Sequence, residues 1–206
     1  MNQHLISVLK AKLAEPLPGY KSHKTVMEHR KPAGAAFKNG LEPRRSAVLI
    51  HLYQHLGELH IVYIQRPEYD GVHSKQISFP GGKAEVDDKS ILDTALREAK
   101  EEVNIEPSKI QILGALTELY IPPSNFLVQP FVSFQQGRPS FIPDDREVGQ
   151  IMEVRLDSLI NQDLSDYNVI TASNTISVKG FLIEDQVLWG ASAMITRELL
   201  DVCSNL

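Results

Sequence analysis

Three glutamates on one predicted helix are the residues whose types and spacing best suit metal chemistry. Glu98, Glu101 and Glu102 follow Ser90, a candidate N-cap, and precede Pro107. At about 100° per residue their side chains share one side of the helix, and apolar residues fill the adjoining arc. Like charges at this spacing oppose helix formation by roughly 0.2–0.5 kcal/mol per pair. The pattern predicts either a solvated acidic face or a bound cation, and Mg²⁺ prefers carboxylate oxygens.

A glycine turn directly upstream favours the second interpretation. Pro80-Gly81-Gly82 precedes the helix, and glycine lets backbone amides and carbonyls come close to an ion or a phosphate. A glycine loop that leads into a carboxylate helix suits metal-assisted chemistry on a phosphate ester.

The whole segment, residues 79–105, resembles the Nudix box, G-x5-E-x7-R-E-U-x-E-E-x-G-U with U aliphatic. The matching positions are Gly82, Arg97, Glu98, Ala99, Glu101, Glu102 and Ile105. Asp88 stands in place of the loop glutamate, the spacer from Asp88 to Arg97 is one residue longer, and Asn104 replaces the final glycine. Asparagine adopts the left-handed helical conformation more readily than most residues, so we predict that conformation at Asn104.

The resemblance implies metal ligands on the helix. Glu98 and Glu102 match ligand positions, Glu101 would be a third ligand, and Gly82 would contribute a backbone carbonyl. The implied metal is Mg²⁺, with Mn²⁺ as an alternative. Arg97 would orient Glu98 through a charge-assisted hydrogen bond, and it could equally form an i,i+4 ion pair with Glu101.

The implied reaction is attack of water on a phosphorus atom of a P–O–P linkage. We expect Asp88 to brace the loop rather than to bind the metal. The general base remains open among Glu98, Glu147 in the acidic loop Phe141–Glu147, and Glu118.

Further residues in and around the box, together with Asp88 and the longer spacer, narrow the resemblance to the coenzyme A pyrophosphatase branch. The similar stretches are QISFPGG at 76–82, TALRE at 94–98 and VLWGASA at 187–193. Arg66 matches the arginine of the branch signature, whereas Gly71 and Lys75 occupy the places of a second arginine and a glycine. The implied substrate is coenzyme A or a derivative, cut to 3′,5′-ADP and 4′-phosphopantetheine, with Arg66, Lys75 and Gly81 as substrate-binding residues.

Two alternatives to this function stay open. One is a Nudix pyrophosphatase for ADP-ribose, an oxidised nucleotide or another nucleoside diphosphate derivative. The other is a non-catalytic Nudix-fold ligand sensor, which degenerate acids would favour. All three helix acids are present, which favours the enzyme.

The length of 206 residues predicts a single domain, and the resemblance implies that residues 1–206 form one Nudix hydrolase domain. A hydrophobic content of 42%, no apolar run long enough to span a membrane and a polar N-terminus predict neither a membrane protein nor a secretory signal. The net charge of −5 argues against nucleic acid as a partner, and a single cysteine, Cys203, suits a cytoplasmic location. The oligomeric state is open, with a homodimer among the options.

The predicted elements are strands with a few helices, one of which lies between strands, and they predict a mixed sheet between helical layers. The resemblance implies a Nudix-type α/β/α sandwich with a mixed β-sheet. Residues 3–14 form an amphipathic helix, and residues 20–45 read as a basic, solvated lead-in or as a contributor to binding an anionic substrate. A hairpin turn is expected at 55–58. The expected strands are 46–51, 59–65, 77–79, 110–119, 127–134, 148–154, 176–183 and 186–188, and the expected later helices are 156–160 and 190–202.

Overall fold

The structure, a computed structural model, describes residues 2–29, 32–34, 42–67, 75–171 and 174–204. The helices are α1 (Asn2–Leu13), α2 (Tyr20–Val26), α3 (Ile91–Val103), α4 (Leu156–Ile160) and α5 (Gly190–Cys203). The strands are β1 (Arg44–His55), β2 (Glu58–Gln65), β3 (Ile77–Ser78), β4 (Gly81–Lys83), β5 (Gln111–Ala115), β6 (Leu119–Ile121), β7 (Phe126–Gln135), β8 (Gln150–Arg155), β9 (Ser165–Ile170), β10 (Thr175–Ile183) and β11 (Gln186–Trp189).

Strand β1 is the centre of the main sheet. It pairs in parallel with β7 along most of its length and antiparallel with β2, so the sheet is mixed. The β1–β2 turn has positive φ at Leu56 (50°) and Gly57 (86°), as a tight hairpin requires, which confirms the predicted connection. Strand β8 flanks β2 on its other side, and β5 and β6 pair with β7.

The glycine turn joins the sheet at the first half of β1. Strand β4 pairs antiparallel there, with Ala47 opposite Gly82 and Val48 opposite Gly81. Because β2 takes only the second half of the same edge of β1, the sheet itself fixes where the glycines lie.

Helices cover both faces of the sheet, which confirms the predicted α/β/α architecture. Helix α3 packs Ala95, Ala99 and Val103 against one face. Helices α1 and α5 and a second, three-stranded sheet, in the order β11-β10-β9, share the core on the other face. Within the described ranges, no helix combines the length and the apolar character needed to cross a membrane.

The segment 20–45 differs from the expected solvated lead-in. Tyr20–Val26 forms α2, in which Ser22, His23 and Val26 are buried, and α2 packs on α5. Its lysines, Lys21 and Lys24, are exposed. The spacing of His23 and Val26 on one helix face indicates burial, but the surrounding charges obscured that signal. Three of the basic residues in this segment, Arg30, Lys31 and Lys38, lie outside the described residues.

Two strand predictions also need correction. The single strand expected at 110–119 is two strands, β5 and β6, separated by residues 116–118. Strand β9 was not predicted, because SDYNVI mixes polar and apolar residues and its Tyr167 and Val169 are only half-buried. It forms through pairing with β10.

Candidate active site

Both ends of α3 are defined by local capping. The Ser90 hydroxyl accepts a hydrogen bond from the Asp93 amide, which confirms the predicted N-cap. Asn104 ends the helix with φ 61° and ψ 34°, which confirms the predicted left-handed conformation. The Asn104 and Ile105 amides then donate to the carbonyls of Lys100 and Ala99, so the last helical turn is closed.

Glu102 is a buried carboxylate with few partners. It is 3% exposed, and the Gly81 amide donates to its Oε2 at 2.8 Å. Burial, reinforced by repulsion from Glu98 and Glu147, raises its pKa to about 8, although the Gly81 hydrogen bond and the nearby Arg66 charge act in the opposite direction. The helix and the glycine turn therefore meet at this carboxylate.

Glu98 lies one turn earlier, against Gly82. A Cβ atom added at Gly82 would collide with the Glu98 carboxylate, so a side chain there would require Glu98 to move. Burial raises the Glu98 pKa, the Arg97 charge and hydrogen bond lower it, and the charges of Glu101 and Glu147 raise it further.

Asp88 braces the loop before α3. Arg97 donates to its two oxygens from Nε at 3.0 Å and from Nη2 at 3.2 Å. The Thr94 hydroxyl and the Glu85 amide donate to Oδ2 at 2.8 and 2.9 Å. The hydrogen bonds from Arg97 hold the pKa of Asp88 well below its usual range. Both carboxylate oxygens of Asp88 are thus used in hydrogen bonds that join the loop to α3, as expected for a residue that braces the loop.

Arg97 makes both of the contacts that the sequence analysis had left as alternatives. Its Nη1 donates to Glu98 and to Glu101 at 3.0 Å each, and its Nη2 donates to the Lys83 carbonyl at 3.1 Å. Glu101 itself is exposed. One guanidinium therefore links the loop, the glycine strand and the acidic face of α3.

The candidate general bases have different surroundings. Glu147 is exposed, and its charge raises the pKa of both Glu98 and Glu102. Glu118 forms an ion pair with Arg45 at 2.7 Å. Glu147 therefore lies within electrostatic range of the α3 carboxylates, whereas the Glu118 carboxylate is paired with an arginine.

The predicted substrate residues flank the site at the end of β2. The Arg66 charge lowers the Glu102 pKa, and the Arg66 amide donates to the Gln76 carbonyl at 3.1 Å. Lys75 is exposed and has a φ of 56°. Gly71 falls outside the described residues, and the amide of Gly81, also predicted to bind substrate, donates to Glu102.

The residues of this site fit a hard divalent cation. Among the described residues, no three acidic, histidine or cysteine side chains already converge into a metal cage. Arg97 and the Gly81 amide instead hold Glu98, Glu101 and Glu102. Carboxylate oxygens are nevertheless the donors that Mg²⁺ prefers. The acidic neighbours raise the pKa values of Glu98 and Glu102, because nearby cations do not fully balance the negative charge of the cluster.

The loop that carries Glu147 contacts α3 in a way the sequence does not reveal. The Asp144 amide donates to the Glu102 carbonyl at 3.0 Å, and the Ile142 amide donates to the Val103 carbonyl at 3.3 Å. Because these partners are about forty residues apart, no local pattern indicates the contact.

Comparison with known proteins agrees with this geometry. Residues 43–171 match the NUDIX domain family. The chain is 36% identical over 159 residues to the uncharacterized Nudix hydrolase NudL of Yersinia pestis (strain Pestoides F), covering 76% of this chain and 78% of that protein.

Solved structures share the fold. A Nudix hydrolase from M. smegmatis, RenU, superimposes with a TM-score of 0.57 at 13% identity, over 80% of this chain and 88% of that one. The MutT protein of Methanosarcina mazei Go1 gives a TM-score of 0.51 at 16% identity, over 79% and 96% of the two chains. Members of the family generally need a divalent metal ion. The chain therefore belongs to the Nudix hydrolases and is a pyrophosphohydrolase.

Proposed function

We propose that this enzyme hydrolyses the diphosphate linkage of coenzyme A or a derivative, releasing 3′,5′-ADP and 4′-phosphopantetheine, with Mg²⁺ as the metal. The observation that carries the proposal is the pair Glu98 and Glu102, half-buried and buried beside the Gly81-Gly82 turn and incompletely balanced by cations. The coenzyme A assignment draws its support from the QISFPGG flank and from Arg66, whose charge acts on Glu102.

Glu98 and Glu102 hold the metal, with Glu101 and the Gly82 carbonyl as further donors. A Mg²⁺ ion held there would supply charge neutralisation for the diphosphate and a lower pKa for the attacking water. Arg97 keeps Glu98 aligned, since its Nη1 lies 3.0 Å from Glu98 Oε1. The Gly81 amide similarly orients Glu102.

Glu147 is the proposed general base. Its carboxylate takes a proton from the attacking water, the water oxygen bonds to phosphorus, and the bond from phosphorus to the bridging oxygen breaks. In the part of the chain that the structure describes, no side chain forms an ion pair or hydrogen bond with the Glu147 carboxylate, whereas Arg45 engages that of Glu118. Glu147 therefore stays available for the proton.

The 3′-phosphate of coenzyme A requires a basic partner outside the box. Arg66 and Lys75 are the proposed partners, because they stand at the two ends of the 66–75 segment beside the site. A charge-assisted Arg–phosphate contact contributes roughly 1.5–3 kcal/mol, so its loss should lower kcat/KM about ten- to a hundredfold.

A substrate panel tests the proposal. Coenzyme A, dephospho-coenzyme A and ADP-ribose are assayed with Mg²⁺ and with Mn²⁺. Arg66→Ala should lower kcat/KM for coenzyme A strongly and for dephospho-coenzyme A much less, because the latter lacks the 3′-phosphate. Arg155→Ala is the matched control, since Arg155 is an exposed arginine paired with Glu58 and Asp157 at the other end of β2.

Two results would redirect the assignment. More efficient cleavage of ADP-ribose than of either coenzyme would replace the proposed substrate. Tight binding with no turnover of any of the three would favour a ligand sensor. The cytoplasmic location stays a prediction from the sequence, and a homodimer stays one option for the oligomeric state.

A further inference from the structure

Asn104 has a side chain at the position where the motif has glycine, and that side chain makes two contacts. Its Oδ1 accepts a hydrogen bond from Lys100 Nζ at 2.5 Å, and its Nδ2 donates to the Ser140 carbonyl at 3.0 Å. An ammonium group only donates, so Lys100 determines which end of the amide carries the oxygen and directs Nδ2 towards Ser140. A glycine would give the same backbone and neither contact.

Ser140 begins the segment that carries the proposed base. We call residues 140–148 the Glu147 loop. Its backbone amides at Ile142 and Asp144 donate to the Val103 and Glu102 carbonyls. These are last-turn carbonyls that lack partners within the helix, so the loop caps the C-terminal end of α3.

The Glu147 loop then turns at Asp144. The Asp144 carbonyl accepts hydrogen bonds from the amides of Glu147 and Val148 at 3.0 and 2.8 Å. This turn fixes the backbone position of Glu147. Phe141 and Val148 pack into the core beneath α3. Ser140, which Asn104 contacts, directly precedes Phe141 in the chain. The contact therefore holds the first residue of the Glu147 loop against the end of α3.

We propose that Asn104 is a positioning residue for the reaction, because its amide fixes the Glu147 loop relative to the carboxylates of α3. The inference rests on the proposed role of Glu147. A general base must lie within hydrogen-bond reach of the proton that it removes, and small displacements of such a group slow the reaction severely. Since other contacts also hold the loop, we expect a partial loss of rate.

The test is a double-mutant cycle with coenzyme A and Mg²⁺, or with ADP-ribose if that is the better substrate. Asn104→Gly keeps the left-handed backbone and removes the amide, and it should lower kcat about three- to tenfold with KM changed less than about twofold. Asn104→Asp keeps an acceptor for Lys100 but removes the donor to Ser140, and it should show the same fall. In a Glu147→Gln background, Asn104→Gly should have no further effect.

Asn125→Gly is the matched control. Asn125 also has a left-handed backbone (φ 53°), but its side chain contacts the Glu42 carbonyl and the Tyr120 hydroxyl rather than the Glu147 loop. Its replacement should leave kcat unchanged.

The outcomes separate the inference from the proposed function. Full kcat for Asn104→Gly, or an equal fall in both backgrounds, overturns the positioning role while the function stands. Full kcat for Glu147→Gln removes the proposed base and the inference with it. A fall that depends on Glu147 supports both.

Discussion

Two buried glutamates, Glu102 on α3 and Glu198 on α5, have opposite surroundings. Glu198 is completely buried, and His23 Nε2, the Gly19 amide and both the amide and the hydroxyl of Thr117 hydrogen-bond to it at 2.6–3.2 Å. Among the described residues, the Glu102 carboxylate accepts one hydrogen bond, from the Gly81 amide, and its acidic neighbours are Glu98 and Glu147.

The difference separates a structural carboxylate from a functional one. Burying an ionised carboxylate is costly unless hydrogen bonds and cations compensate for the lost water. Around Glu198 the protein supplies this compensation and thereby joins α2 and α5 to the segment between β5 and β6. Around Glu102 the protein does not fully offset the cost of burying the carboxylate, and a bound metal ion would supply the missing positive charge.

The largest expected effect is on catalysis. Glu102→Gln should lower kcat by several orders of magnitude and leave the fold intact, because it removes a proposed metal ligand while keeping the shape of the side chain. Turnover at saturating substrate and ordinary Mg²⁺, with a thermal melt as the folding control, is the measurement. Near-normal turnover by the folded variant would end the assignment of Glu102 as a ligand.

Glu198→Ala should lower the stability of the protein and leave its catalysis unchanged. Removing it leaves His23 and the Thr117 and Gly19 amides without their acceptor, which costs roughly 3–5 kcal/mol of unfolding free energy. The kcat per folded molecule should stay close to that of the wild type. Denaturant unfolding measures the free energy of unfolding, and turnover per folded molecule measures kcat. A Glu198→Ala variant that is as stable as the wild type but has no activity would contradict the structural role of Glu198.

The stability of the protein should also depend on pH through Glu102. The Glu102 pKa is about 8 in the folded protein against an ordinary value of 4.5, so the folded state binds the proton more tightly than the unfolded state. This contribution is fully present below about pH 4.5 and is lost as pH rises through about 8. Without metal, Glu102→Gln should therefore become more stable relative to the wild type across that window.

Between pH 5 and pH 9, the unfolding free energy of the wild type should fall relative to that of Glu102→Gln by up to about 4 kcal/mol, because each unit of pKa shift corresponds to about 1.4 kcal/mol. Urea unfolding of both proteins at pH 5 and pH 9, in a chelator, measures it. If the unfolding free energies of the two proteins change in parallel with pH, the pKa of Glu102 is not raised in the folded protein. Added Mg²⁺ should stabilise the wild type more than the variant, because the metal binds only the site that keeps its ligands.

Thr117→Val should give the smallest effect. It removes the hydroxyl that donates to Glu198 at 2.6 Å and keeps the backbone amide contact. We expect the unfolding free energy to fall by roughly 1–2 kcal/mol and kcat to stay unchanged, because the hydrogen bonds to Glu198 from Gly19, His23 and the Thr117 amide remain. Ser165→Ala, at an exposed position of β9, serves as a control for the loss of a hydroxyl.

Local chemistry made much of this fold predictable. Ser90 before a run of apolar residues predicts a helix start, and the Leu56-Gly57 turn between two apolar runs predicts a hairpin. The arrangement of Glu98 and Glu102 on one helix face depends only on the helical repeat. These features are set by residues within a few positions of each other.

Contacts between distant segments were not predictable. His23 belongs to a segment rich in basic residues, and it is buried because Glu198, 175 positions away, hydrogen-bonds to it. Glu102 could be predicted to face the same way as Glu98, but its burial follows from Gly81 and from the loop that begins at Ser140.

The sequence by itself determined that a carboxylate helix follows a glycine turn, because spacing along one helix and the conformational freedom of glycine are local properties. Tertiary structure alone decided which glutamates are compensated. Compensation depends on donors, charges and burial supplied by strands and loops remote in the chain, and these meet Glu102 and Glu198 only after the sheet has formed.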